Sequence, residues 1–219
     1  LSSALCMDKY RAHQLAQAAG VAVPASHLVQ PDTPAQQWAS WAAALGYPLF
    51  VKPLRAGSSF GISKVLSAQQ LPAALEAAFA YDDTALLEEC IPGFEVGCAL
   101  LGTHSLEAGR VDEIELADGF FDFKEKYTLE TASIHVPARI TPEQEAQVLQ
   151  AAKTVYRALD CHGFARVDLF CTPDGRVVFN EVNTIPGFTA HSRFPSMFQA
   201  AGLSFSQMIA EIIRQGVSA

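Results

Sequence analysis

The chain has 219 residues, half of them hydrophobic, enough to bury a substantial core in one large domain or two modest ones. Its formal net charge of −8 argues against non-specific nucleic-acid binding, which runs on basic surface, but allows an anionic ligand wherever a few cations converge. No run approaches the roughly 20 apolar residues of a membrane-spanning helix, and the start lacks a signal peptide's basic-then-apolar order. The five cysteines are scattered, with no Cys-x-x-Cys pair, and read as reduced thiols of a cytoplasmic protein.

In chain order, Asp8 caps a helix that begins at Lys9 and ends at Gly20, with Leu15, Ala18 and Ala19 as its inward stripe. A second helix spans 35–45 and closes at Gly46. "PLFVKP" and "GISKVLS" read as strands around the tight loop "LRAGSSF". Residues 68–80 suit a helix, and "ALLEE" and "FEVGCALLG" suit strands broken by "CIPG". Two further strands flank the long loop "ADGFFDFKEKYTLET", a length that points to function or disorder. Thr141-Pro142-Glu143 opens a helix to about Leu159. Two strands then surround Asp174-Gly175, and a last amphipathic helix covers "SFSQMIAEIIRQ". The fold class is α+β, with "CIPG" as the seam between lobes at 1–92 and 93–219.

The Asp174-Gly175 pair predicts a two-residue hairpin turn. Pro173 then faces Arg176, Phe170 faces Phe179, Asp168 faces Glu181, and Arg166 faces Asn183. Opposed residues share a face, so these last four polar residues converge. Val167, Leu169, Val178 and Val182 point the other way, and Asn180 goes with them, breaking the pattern. Asp, Glu and Asn oxygens are the hard donors that Mg²⁺ prefers. The alternative is a plain ion pair between Arg166 and one carboxylate, which leaves the second carboxylate and Asn183 without a role. A one-residue slip would send Asp168 and Glu181 to opposite faces.

A magnesium site with few protein ligands implies phosphate oxygens nearby. Lys52 ends a buried strand, and "GSSFG" follows, where Gly57 and Gly61 let the backbone curl and Ser58 and Ser59 offer donors to an anion. Lys9 starts the first helix. None of this matches the Walker or Rossmann glycine patterns. In "LLEECIPGFE", Glu88 and Glu95 flank the seam. A carboxylate there accepts ribose hydroxyls, and the Glu89–Ile91 backbone addresses an adenine edge.

Lys9, "LFVKP", "AGSSFGISKV", "LLEECIPGFEVG", "GFARVDLF" and "FNEVNTIPGFTAHSRFP" resemble, in order and spacing, the ATP-grasp D-alanine–D-alanine ligases. The resemblance covers essentially the whole chain and is nearest the vancomycin-resistance branch that makes D-alanyl-D-serine. It implies two lobes with antiparallel sheets clasping ATP. Lys9, Lys52 and Ser59 then hold phosphates, Glu88 and Ile91 the adenine, and Glu95 the ribose. Asp168, Glu181 and Asn183 bind two Mg²⁺ ions, with Mn²⁺ as a substitute. Arg166 and the Gly187 backbone stabilise an oxyanion. Ser58 and Tyr127 close the long loop, and Lys126 reaches the transferred phosphate.

The implied reaction joins D-alanine to a second D-amino acid through an acyl phosphate, for peptidoglycan precursors and glycopeptide resistance. Ser192 and Arg193 hold the second amino acid. The Lys126-Tyr127 pair disfavours the D-lactate branch, and Phe121 with Arg193 favours D-serine over D-alanine. The family's N-terminal domain has no counterpart here, so the chain reads as a fragment, weak or inactive alone, of a protein that dimerises when whole. The rival readings are a D-alanine–D-alanine ligase, another ATP-grasp carboxylate–amine ligase, and a non-catalytic nucleotide-binding module.

Overall fold

The computed structural model describes residues 1–116, 132–189 and 191–217. Helices α1 (Ser2–Met7) and α2 (Lys9–Ala18) meet at Asp8, whose carboxylate accepts the Arg11 amide at 3.0 Å and caps α2. The buried face of α2 is Lys9, Ala12, His13 and Ala16. The expected stripe fails: Leu15 is 37% exposed. Helical spacing is kept, but the helix covers a polar cleft as well as an apolar core, so two of its four inward residues are polar.

The smaller sheet contains β1 (Ser26–Val29), β2 (Leu49–Pro53), β3 (Ser63–Val65) and β4 (Ala85–Glu89), antiparallel in the order β1-β4-β2-β3. Leu49, Val51, Ala85 and Leu87 pack with residues of α3 (Ala35–Leu45) and α4 (Leu71–Phe79). Strand alternation therefore sends Phe50, Lys52 and Glu88 to the opposite face, which lines a cleft.

The larger sheet runs β10-β9-β5-β7-β8, with β6 paired to β5. Its strands are β5 (Phe94–Leu101), β6 (Glu107–Ala108), β7 (Asp112–Leu116), β8 (Ala132–His135), β9 (Phe164–Cys171) and β10 (Val177–Asn183). Helix α5 (Pro142–Ala158) begins with a capping box between Thr141 and Gln144. It seals one face through Val148, Ala152, Val155 and Tyr156, packed with Val96, Cys98, Leu100, Val167, Leu169 and Phe179. Cys6, Ala12, Ala16 and Val21 join that same core. The first two helices thus pack with the strands that follow residue 93. On the other face, α6 (Arg193–Ala200) and α7 (Phe205–Val217) bury Phe194, Met197, Phe198 and Met208 against Ala99 and Leu101. α1, β1 and α6 fall outside the elements expected from sequence. All five cysteines are free, Cys6 and Cys161 lying 3.7 Å apart at sulfur. Among the described residues no helix is long and apolar enough to cross a membrane.

The β9–β10 hairpin reaches its expected pairing by an unexpected route. Glu181 opposes Asp168 and Asn183 opposes Arg166, but nearer the turn Val178, not Phe179, opposes Phe170. Thr172 and Arg176 close a three-residue loop, in which Gly175 holds φ +84, instead of the two-residue turn. A bulge between Phe179 and Glu181 then restores the register. Phe179 therefore joins Val167, Leu169 and Val182 in the core, and Val178 takes the face of Phe170. Asn180, which broke the alternation in the sequence, is the bulged residue.

Candidate functional site

A cleft of about 360 Å³ lies between the two sheets, lined by Lys9, Lys52, Ser58, Ser59, Glu88, Ile91, Glu95 and Glu181 among others. Lys9, one turn before His13 on α2, donates to the carbonyls of Ala56 at 2.7 Å and Pro53 at 3.3 Å, tying the helix to the loop after β2. Lys52 pairs with Glu88 Oε1 at 2.5 Å, its ammonium 5.5 Å from the Phe50 ring. Glu88 is 2% exposed, and its second oxygen has no hydrogen-bond partner among the described residues.

The loop joining β2 to β3 carries Ser58 at φ +53 and Ser59 at φ +58, backbone that L-residues seldom adopt and that collects at ligand-binding segments. Gly61 is required there: at φ +69 a Cβ would stand 2.7 Å from Tyr81 and 2.8 Å from Pro53. Arg55 anchors the base of the loop on Asp82 and Asp83. Burial alone would raise the Asp82 pKa, but the Arg55 guanidinium and backbone amides bring it down to about 2.

On the other wall the expected polar residues meet. Arg166 grips Asp168 with two nitrogens at 2.7 and 2.8 Å. The Asn183 amide nitrogen donates to Asp168 Oδ2 at 2.8 Å and to Glu181 Oε1 at 3.4 Å, so the three side chains meet in one cluster. Glu181 lines the cleft directly, whereas Asp168 is 1% exposed behind it. The ion pair raised as an alternative is present, yet it does not displace Glu181 or Asn183 from the cluster.

Arg193 sits deeper than its sequence position suggested. Its guanidinium holds both oxygens of Asp112 at 2.7 and 2.8 Å, Glu95 at 3.2 Å and Asp168 at 3.4 Å. Burial works against its charge, but Asp112, Asp168 and Glu95 outweigh it and push the pKa up. Space for the guanidinium comes from Gly97, which opposes Asp112 on one side and Asp168 on the other; a Cβ there would collide with Arg193 and stand 2.6 Å from Asp112. Gly187 and Ser192 share the loop before α6, where a Cβ on Gly187 would lie 2.9 Å from the Ser192 hydroxyl. Thr189 donates its amide to that hydroxyl at 3.0 Å. Phe121, Lys126 and Tyr127 lie outside the described residues.

Sequence reasoning missed His13, Asp112 and the Arg139–Glu113 pair on the cleft rim. His13 follows Lys9 by four residues and so shares its helix face, a signal passed over in favour of apolar spacing. Asp112 was signalled by Gly97, an otherwise unexplained glycine inside a strand, which marks a close approach. Arg139 bonds Glu113 at 2.6 Å and holds its carboxyl below the usual range.

A family model, "D-ala D-ala ligase C-terminus", matches residues 15–214. The crystal structure of the VanG D-Ala:D-Ser ligase from Enterococcus faecalis superposes with a TM-score of 0.91 at 57% identity, covering 98% of this chain and 63% of that one. The vancomycin C-type resistance protein VanC2 of Enterococcus casseliflavus is 44% identical over 96% of this chain and 61% of its own. A putative D-alanine–D-lactate ligase of Streptomyces coelicolor is 47% identical over 95% of this chain and 60% of its own. The chain therefore spans about three fifths of the length of its relatives. With its two antiparallel sheets enclosing a cleft, it has the ATP-grasp fold and belongs to the D-alanine–D-alanine ligase family.

Proposed function

We propose that the chain is the ATP-binding part of a ligase that joins D-alanine to a second D-amino acid, D-serine by preference, through an acyl phosphate. The observation that carries this reading is the cleft with its two complementary ends. At one end Glu88 presents a buried oxygen without a hydrogen-bond partner among the described residues, and a buried acceptor of that kind is costly unless a ligand supplies a donor. The exocyclic amino group of adenine is such a donor. At the other end the Asp168 and Glu181 carboxylates meet across the Asn183 amide nitrogen, a pair of hard oxygen donors that fits Mg²⁺ or Mn²⁺, with the Asn183 carbonyl oxygen on the same side chain.

Asp168, Glu181 and Asn183 would hold the metal, and Arg166 orients Asp168 with two hydrogen bonds. When bound, the metal neutralises triphosphate charge, which matters where one anion must attack another. Lys9 and Lys52 add fixed positive charge on the facing wall. Arg166 also stands ready to stabilise an oxyanion, together with donors from the Gly187 loop. Preference for D-serine is supported by the fixed guanidinium of Arg193 and by the 57% identity to a D-Ala:D-Ser ligase. A buried, already paired guanidinium acts on a second substrate by ordering polar groups around it, and a site built to bind a hydroxyl can discriminate strongly. The product would serve cell-wall precursor synthesis and glycopeptide resistance.

Titration of residues 1–219 with a non-hydrolysable ATP analogue and Mn²⁺ tests the nucleotide reading, and absence of binding refutes it. For the reaction, the full-length protein given D-Ala with D-Ser is compared with D-Ala alone, products being resolved by mass. The mixed dipeptide should predominate; a product dominated by D-Ala–D-Ala would assign the alternative substrate. Nucleotide binding without phosphoryl transfer would mark a binding module instead.

A further inference from the structure

We propose that His13 is a positioning residue for the metal end of the cleft, pinning the β10 bulge that turns Glu181 toward Asp168; this rests on the metal reading given above. The bulge carries one extra residue, whose carbonyl is left out of the ladder and needs a partner elsewhere. The Asn180 carbonyl finds it in His13 Nε2–H, at 2.8 Å. His13 is 2% exposed, and its ring meets Phe179 edge-on at 5.5 Å, so the side chain is held on both residues that precede Glu181.

The protonation state agrees with that role. Burial pulls the His13 pKa below its ordinary value more strongly than Glu88 raises it, so the ring is neutral at neutral pH. A carbonyl partner then requires the hydrogen to sit on Nε2. Nδ1, 4.0 Å from Glu88 Oε2, makes no hydrogen bond among the described residues, and Glu88 Oε1 is held by Lys52 at 2.5 Å. His13 therefore stands between the two ends of the cleft, bonded to the metal end and adjacent to the nucleotide end. Without the bulge, the register set by the three-residue turn would continue along β10 and place Glu181 on the opposite face from Asp168.

The test compares wild type with His13→Phe, which keeps a ring but no donor, and His13→Gln, which restores an N–H. Mn²⁺ affinity is measured by electron paramagnetic resonance with a non-hydrolysable ATP analogue bound; analogue affinity is measured separately in EDTA. His13→Phe should weaken Mn²⁺ binding about tenfold or more while metal-free nucleotide affinity stays within about twofold. His13→Gln should recover most of the loss. A folded His13→Phe with wild-type Mn²⁺ affinity, or one in which both affinities fall equally, overturns the proposal. A wild-type chain that takes up no Mn²⁺ overturns the metal reading and this proposal with it, whereas wild-type uptake unaffected by His13→Phe overturns this one alone. If His13→Phe does not fold, nitrogen NMR of wild type decides. A protected Nε2–H that shifts when Mg²⁺ is added to the nucleotide complex supports the role, and a missing or unmoved Nε2–H refutes it.

Discussion

The two walls of the cleft handle charge differently. On the β2–β4 wall, Lys9 leans on backbone carbonyls, Lys52 pairs with Glu88, and the second Glu88 oxygen has no hydrogen bond among the described residues. On the β5–β9–β10 wall, Arg166 and Arg193 each hold a carboxylate with two nitrogens, and Asn183 bridges Asp168 to Glu181. The second wall is organised before any ligand arrives, and the first keeps polar capacity that a ligand can complete. Substitutions at the second wall's paired arginines and the carboxylates they hold should therefore act on folding together with binding, and those at Glu181 and on the first wall mainly on binding and local structure.

The largest effect should come from Arg193→Met, which strands Asp112 at 0% exposure. A buried carboxylate robbed of its partner costs about 3–5 kcal/mol, read as a drop in the denaturation midpoint. Pairing it with Asp112→Asn should recover part of that loss in a double-mutant cycle, and strict additivity would show that the two do not share a network. Next, Glu181→Gln should weaken Mn²⁺ binding in the nucleotide complex about tenfold, close to 1.4 kcal/mol, with a near-normal unfolding midpoint. A large stability loss instead would mean that this residue serves the scaffold.

On the first wall, Gly61→Ala should cost about 1 kcal/mol or more, because φ +69 suits glycine and the new methyl meets Tyr81 and Pro53. Nucleotide affinity should fall with it, and an unchanged loop and affinity would undo the claim that this turn shapes the cleft. The smallest effect concerns pH. Asp82 titrates near 2 when folded against an ordinary value near 3.8, so its stabilisation is present above about pH 4 and drains away as the pH falls toward 2. Asp82→Asn should flatten that acid limb of the stability curve, with only a modest change at neutral pH because Arg55 is half exposed.

Most of the elements were legible because local chemistry agreed with the fold. Asp8 and Thr141 cap helices, and Gly46 ends one. The convergence of Asp168, Glu181 and Asn183 was legible as well, although the path to it was not. The predicted tight turn is a longer loop, and the bulge makes up the difference. What stayed hidden depends on distant packing: α2 turns Lys9 and His13 inward because a polar cleft lies beneath them, and Arg193 turns inward because Gly97 leaves room between two strands. Apolar periodicity carries no trace of either.

The hairpin's irregular turn and its kink at Asn180 are two departures of opposite sense, and only their sum matters at Glu181. The phase of that carboxylate is thus a matter of how many links separate it from Thr172, not of the identity of any one of them. One irregularity could be traded for another in a redesigned hairpin, so long as the count is conserved. Losing a single link anywhere along that stretch would rotate an acid into the oily interior and bring a valine out in its place.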